Sequence, residues 1–226
     1  MLISVIMATR NQEKDLEECI NSILGQTYRN FEFLILDDCS SDNTFKILSK
    51  YQKIDERIQV YSNKTNLGLT KSLNILIKHS KGSYIARQDS DDVSHFMRFE
   101  KQINVLRNSK YKFCISRGFI RNTRKKIPGI SYYLPIKFQM NYKNPFIHGS
   151  LMIEKETLLK FGCYDEKYYF AQDYKLFSIL LKNKIKYKYL NEQLYFLNTQ
   201  NNISTKNKLE QKQFFKFAKS EFNKSN

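Results

Sequence analysis

Over the first hundred residues, short apolar runs alternate with stretches whose apolar positions recur every three or four residues. Leu2 to Met7 reads as a strand, and Leu16, Cys19, Ile20, Ile23 and Leu24 then mark one face of a helix. Phe31 to Leu36 reads as a second strand. After Asp37-Asp38-Cys39-Ser40-Ser41, Asp42 is placed to cap a helix running through Tyr51, and Ile58 to Tyr61 gives a third strand. Asn66-Leu67-Gly68 makes a turn, Leu69 to His79 a third helix, and Tyr84-Ile85-Ala86 a fourth strand that stops at Asp89-Ser90-Asp91-Asp92. Strict alternation of this kind predicts right-handed crossovers and an α/β fold, a Rossmann-like, mostly parallel sheet with helices on both faces. Ligands of such sheets bind beyond the carboxyl ends of the strands, where both acidic clusters fall.

Past about residue 110 the alternation breaks down. Phe113 to Ile120 reads as strand, Ile127 to Pro145 as irregular and aromatic, and Asp173 to Leu181 as a helix. Tyr187 to Leu190 and Leu194 to Leu197 read as late strands, Asn198 to Asn207 as a short polar linker, and Lys208 to Phe222 as a terminal helix. The expected division is therefore 1–110, 111–200 and 201–226, within one folding unit.

Charge sharpens that division. The chain carries 38 Lys and Arg against 22 Asp and Glu, a net +16. Residues 1–100 hold 13 basic and 14 acidic side chains, whereas residues 101–226 hold 25 and 8, so the whole excess lies in the second part. Only that part should seek an anionic surface. Apolar residues at 41% with 7 Gly and 3 Pro exclude a disordered or collagen-like chain. No apolar run approaches the roughly 20 residues that cross a bilayer, and Met1 to Met7 has no basic leader, so the expected compartment is the cytoplasm. Cys19, Cys39, Cys114 and Cys163 are widely spaced, which predicts free thiols and no zinc ribbon.

Carboxylates crowded at the mouth of a parallel sheet raise one another's pKa unless a cation sits among them. Asp89 and Asp91 alternate along an extended segment, a geometry for a hard divalent cation with open positions for phosphate oxygens. The same residues also suit a solvated, helix-capping turn. No Gly-x-Gly-x-x-Gly and no Walker loop is present, so phosphates would be met by metal and side chains.

Five blocks in order resemble the inverting family 2 glycosyltransferases, which have the GT-A fold. They are Ser4 to Asn11 with Ser22 to Tyr28, Phe33 to Thr44, Asn66 to Leu69 with Gly82 to Asp92, Asn144 to Ser150, and Phe161 to Glu166 with Ala171 to Leu176. The last two blocks are similar to the acceptor side of transferases building bacterial lipopolysaccharide or capsule. The resemblance implies a nucleotide-sugar donor half over 1–110, an acceptor and catalytic-base half over 111–200, and a basic tail. It implies that Asp38, with the backbone of Ala8 and Thr9, binds the nucleotide base. Asp91, assisted by Asp89 and Asp92, would hold Mn2+ or Mg2+ against the diphosphate in a DXD-type site. Lys71 and Arg87 would contact ribose or phosphate. Asp173 would be the general base, with Gln172 beside it where relatives often carry Glu. Cys39 and Lys175 depart from the usual Gly and Asp of the family. The Gln-x-x-Arg-Trp motif of polymerising members is absent, since the chain has no Trp, so one sugar is expected per event. The implied reaction moves a sugar, with UDP favoured as carrier, to a lipid-linked or cell-surface glycan and forms a β linkage.

Other residues keep two readings. His148 is either buried or an acceptor contact. Tyr132, Tyr133, Phe138, Tyr142 and Phe146 either stack on sugar rings or form local core. Arg121, Arg124, Lys125 and Lys126 form a basic run. Along a terminal helix, Lys208, Lys212, Lys216 and Lys219 share one face and Phe214, Phe215, Ala218 and Phe222 another, which suits either packing on the core or peripheral attachment to the anionic inner face of the plasma membrane. The alternatives to a transferase are a sugar-phosphate nucleotidyltransferase, which needs a Gly-rich basic loop that Ala8 to Asn11 does not provide, and a nucleic-acid-binding protein. No RRM, KH or helix-turn-helix signature supports the second, so nucleic acid is not an expected partner.

Overall fold

The apolar runs become strands because each is rich in β-branched and aromatic side chains and closes on polar turn residues. The computed structural model describes residues 1–107, 110–199 and 208–223. Strands β1 (Ile3–Thr9), β2 (Phe31–Asp37), β3 (Ile58–Ser62) and β4 (Tyr84–Arg87) alternate with helices α1 (Leu16–Leu24), α2 (Thr44–Ile54) and α3 (Leu69–His79). These four strands pair in parallel, in the order β3-β2-β1-β4. All seven residues of β1 and of β2 are buried, as strands covered on both faces require. Neighbouring residues of β1 feed opposite layers: Val5 belongs to the core layer that contains Ile20, Phe33 and Leu48, and Ile6 to the one that contains Leu34, Leu73 and Leu76.

The rest of the chain extends the same sheet. It contains β5 (Val93–Ser94), α4 (Arg98–Arg107), β6 (Phe113–Ile120), β7 (Lys126–Ile127), α5 (Ile136–Met140), β8 (Met152–Glu154), α6 (Lys155–Lys160), α7 (Gln172–Lys182), β9 (Tyr187–Leu197) and α8 (Lys208–Asn223). Strand β8 lies antiparallel between β4 and β6, β9 runs parallel to β6, and β5 is antiparallel to β9. The sheet therefore reads β3-β2-β1-β4-β8-β6-β9-β5, with β7 beside β6. It is wholly parallel in the first part, as the alternation predicts, and mixed beyond it, in a single α/β domain. The late segment expected as two strands is one, β9, and register shifts around Arg117 accommodate its polar middle, Asn191 to Gln193.

Of the two readings of the terminal helix, the described residues show packing. Ala218 and Phe222 of α8 are buried, and Phe215 meets Tyr174 of α7 with ring centroids 4.8 Å apart. Lys175 and the Tyr168 hydroxyl both bond Glu221. Residues 200–207, most of the expected linker, and the side chain of Lys208 lie outside the described residues. All four cysteines are free thiols, and no described helix is long and apolar enough to cross a membrane.

Candidate active site

Parallel packing brings the carboxyl ends of β1, β2 and β4 together, and they open onto a cleft of about 910 Å3. Ala8, Thr9, Asp38, Arg87, Asp89, Asp91, Asp92, His148, Gln172 and Asp173, all singled out from the sequence, line it. Lys71 does not. It is exposed on α3, whose buried face carries Thr70, Leu73, Asn74 and Ile77 at helical spacing, so Lys71 falls on the other side.

At one end the loop after β1 is tied to the loop after β2. Asn11 N–H donates to Ser40 Oγ, Gln12 N–H to Thr44 Oγ1 at 2.8 Å, and Glu13 N–H to Asp42. Asp38 accepts from the backbone N–H of Leu67 and Gly68 and from Asn63 Nδ2, each at 2.8 Å. Its carboxylate thus holds the Asn66-Leu67-Gly68 turn against the cleft while Oδ2 keeps room for another donor. Gly68 has φ +84°, and an added Cβ would lie 2.4 Å from the ring of Tyr169, so only glycine fits there. The Thr9 hydroxyl, buried at the same end, has no hydrogen-bond partner among the described residues.

The acidic loop is held from beneath by polar groups that apolar patterning does not reveal. Gln88 Nε2 donates to the carbonyls of Asp89 and Asp92, each at 3.0 Å. Its Oε1 accepts from Arg98 Nη1 and Ser94 Oγ, and Arg98 Nη2 donates to the Arg87 carbonyl at 2.6 Å. Arg98 is fully buried, and burial lowers its pKa to about 10. The Tyr195 hydroxyl accepts the Asp89 N–H at 3.0 Å and bonds the Asp92 carboxylate, which also accepts the Asn198 N–H at 2.7 Å.

Within the loop, charge is crowded. Burial and the neighbouring Asp89 push Asp91 up to about 6, and burial with Asp89 and Asp91 pushes Asp92 well above the carboxylate range. Arg87 pairs with Asp89 at 2.5 Å, yet its buried Nε and Nη1 find no hydrogen-bond partner among the described residues. The three carboxylates do not form a closed cage: among the described residues no group of three or more His, Cys, Asp or Glu converges to hold a metal.

The facing wall comes from the second part of the chain. Ala171, in the left-handed region at φ +59°, turns the backbone into α7 and sets Gln172 and Asp173 on its first turn. Asn144 Nδ2 donates to Asp173 Oδ2 at 2.7 Å. His148 Nε2 is 2.7 Å from the Tyr164 hydroxyl, and burial together with Arg87 lowers its pKa to about 4, so the imidazole is neutral. Gly149 lies so close to the acidic loop that a Cβ would sit 2.0 Å from Tyr195 Oη and 2.6 Å from Asp89 Oδ2. Of the aromatic candidates, Tyr142 and Phe146 line the cleft. Gln211, Lys212 and Phe215 of α8 complete the rim.

A family model described as "Glycosyl transferase family 2" matches residues 4–166, more than half of the chain. WfgD of Escherichia coli, a UDP-Glc:alpha-D-GlcNAc-diphosphoundecaprenol beta-1,3-glucosyltransferase by name, is 31% identical over 183 residues, covering 80% of this chain and 70% of that protein. Among solved structures, S. aureus TarS in complex with UDP-GlcNAc superposes with a TM-score of 0.78 at 21% identity, over 92% of this chain and 61% of that one. The mannosyltransferase PcManGT of Pyrobaculum calidifontis, solved with GDP-Man and Mn2+, gives a TM-score of 0.73 at 16% identity, over 89% and 58%. The chain spans 55% of the length of another relative, EpsE of Bacillus subtilis, to which it is 38% identical over 154 residues.

Proposed function

The chain belongs to glycosyl transferase family 2, and from that premise we propose that it moves one sugar from a nucleotide sugar, with UDP as the carrier, to a hydroxyl of a lipid-linked or cell-surface glycan, inverting the anomeric carbon to give a β linkage. The observation that carries this reading is the pairing, across one cleft, of a crowded carboxylate loop at the ends of the parallel strands with Asp173 on the first turn of α7.

Asp38, Thr9 and the Asn66 to Gly68 turn form the base-binding end in this reading. The two Arg87 nitrogens without a partner among the described residues, Nε and Nη1, supply N–H donors for the anionic diphosphate. The donor set fits a divalent cation, because burial and then the negative charges of Asp89 and Asp15 push Asp91 up, a crowding that a cation would relieve, and hard oxygens suit Mn2+ or Mg2+ with coordination completed by phosphate. Asp91 and Asp89 would hold that cation, Asp92 would buttress them, and the metal would offset negative charge growing on the leaving diphosphate. Asp173, with Oδ2 fixed by Asn144, takes the proton of the attacking acceptor hydroxyl on Oδ1. His148, neutral and bonded to Tyr164, and Gln172 orient that acceptor.

A donor screen by thermal shift, with UDP- and GDP-sugars in Mn2+, Mg2+ or EDTA, tests the reading. Metal-dependent stabilisation by one UDP-sugar is expected; no stabilisation by any nucleotide sugar overturns it. With that donor in hand, Asp173→Asn should lower kcat by about 10²–10⁴-fold and leave the donor-induced shift in place. A wild-type rate would remove Asp173 from the role of base.

A further inference from the structure

We propose that the face built by residues 124–143 docks on an anionic lipid bilayer, so that the Tyr142 side of the cleft opens toward the membrane surface. No Asp or Glu occurs between Lys101 and Ile153. Within that stretch Arg121 is neutralised by Glu18, but Arg124, Lys125, Lys126, Lys137 and Lys143 are exposed and form no ion pair with a described residue. The same face presents Ile130 at 88% exposure, Tyr133 at 74% and Tyr142 at 69%, together with Leu134 and Phe138. Five of the thirteen exposed large apolar side chains of the described residues thus fall within 130–142, where a soluble surface would disperse them.

These groups form one surface. Lys125, Lys126, Ile130, Ser131 and Lys143 border a shared open pocket of about 460 Å3 between β7 and the turn at 130–133. Lys143 Nζ reaches Ser131 Oγ at 3.1 Å, and the Phe138 and Tyr142 rings pack 5.2 Å apart. The segment is anchored from behind by Gln139 and Met140, which are buried, and by the Tyr174 hydroxyl donating to the Met140 carbonyl at 2.9 Å. An anchored strip that turns apolar and aromatic side chains outward among uncompensated cations suits the boundary between lipid headgroups and acyl chains, where apolar burial and attraction to anionic lipid add. The charge selects an anionic bilayer over a second copy of this chain, since two such strips would repel. Orientation of the cleft toward lipid rests on the lipid-linked acceptor proposed above, whereas docking itself does not.

Cosedimentation with phosphatidylcholine vesicles, with and without phosphatidylglycerol, tests the docking without donor or acceptor. The protein should bind only the anionic vesicles and lose binding as salt rises. Lys125→Glu with Lys126→Glu should weaken binding by at least about 25-fold, at about fivefold for each lost cation. Tyr133→Ser should also weaken it, while Lys216→Glu with Lys219→Glu on α8 should not. Because the chain has no Trp, Ile130→Trp places a single reporter on the face, and its emission should shift to the blue with anionic vesicles only. Unchanged melting temperatures of the variants separate lost docking from lost folding. The proposal is overturned if the wild type ignores anionic vesicles, if the α8 variant and not the face variants loses binding, or if lipid-free sedimentation reveals a dimer that the face variants abolish.

Discussion

His148 illustrates how a cleft lined with carboxylates holds an uncharged imidazole. Burial and the Arg87 guanidinium lower its pKa from 6.5 to about 4, against the weaker pull of Asp173 and Asp89. The unfolded chain therefore takes up this proton first as pH falls. The contribution to stability is complete above pH 6.5 and is lost progressively toward pH 4, by about 2 kcal/mol between pH 6.5 and 5. Urea unfolding in EDTA should accordingly be steeper in pH for the wild type than for His148→Gln; parallel profiles would mean that His148 titrates normally in the folded state. Asp38, Asp89, Asp91 and Asp92 were legible in the sequence because carboxylates directly after strands fall where a doubly wound sheet opens, whereas Asp173 was marked only by the family resemblance. Gln88, Arg98, Asn144 and Tyr195 were not, because their roles depend on partners up to 106 positions away along the chain, as when the Asp89 N–H meets the Tyr195 hydroxyl. The available signals were the blocks themselves: Gln88 lies in Gly82 to Asp92, and Asn144 opens the block that also contains His148 and Gly149.

At the scale of elements, α3 appears over Leu69–His79, as its periodicity predicts, because apolar spacing, a glycine before it and Ser80 after it agree. Helix α4 was missed for a physical reason: its inward face carries Arg98 and Gln102 beside Phe99, Ile103 and Leu106, and polar side chains on the buried stripe break the pattern. Strand β8 is three residues long, too short to declare itself, although it joins β4 to β6. Helix α4 has the greater mechanical role, because Arg98 is the fully buried group that meets Gln88, Ser94, Gln102 and the Arg87 carbonyl. Arg98→Met leaves those acceptors without their donor and should cost about 2–5 kcal/mol in urea denaturation. Arg98→Lys keeps the charge and should cost less. A loss below about 1 kcal/mol for Arg98→Met would show that the network is replaced by water.

Over the whole molecule, the charge boundary near residue 100 is not a fold boundary. Strand β8 of the basic part pairs with β4 through Tyr84↔Glu154, Ile85↔Ile153 and Ala86↔Met152, and Met152 shares a core layer with Val5 and Phe33. The two parts should therefore unfold together: far-UV and near-UV circular dichroism should trace coincident urea transitions, and two separated transitions would mean that they fold independently. The contact of Gly149 with Asp89 and Tyr195 carries this continuity into binding. With no room there for even a methyl group, a donor that displaces the Asp89 loop must displace the turn bearing His148, and an acceptor that shifts that turn must press back on the loop. On the proposed reading the two substrates should then share a coupling free energy, so that whatever factor one imposes on the other's affinity is returned in equal measure.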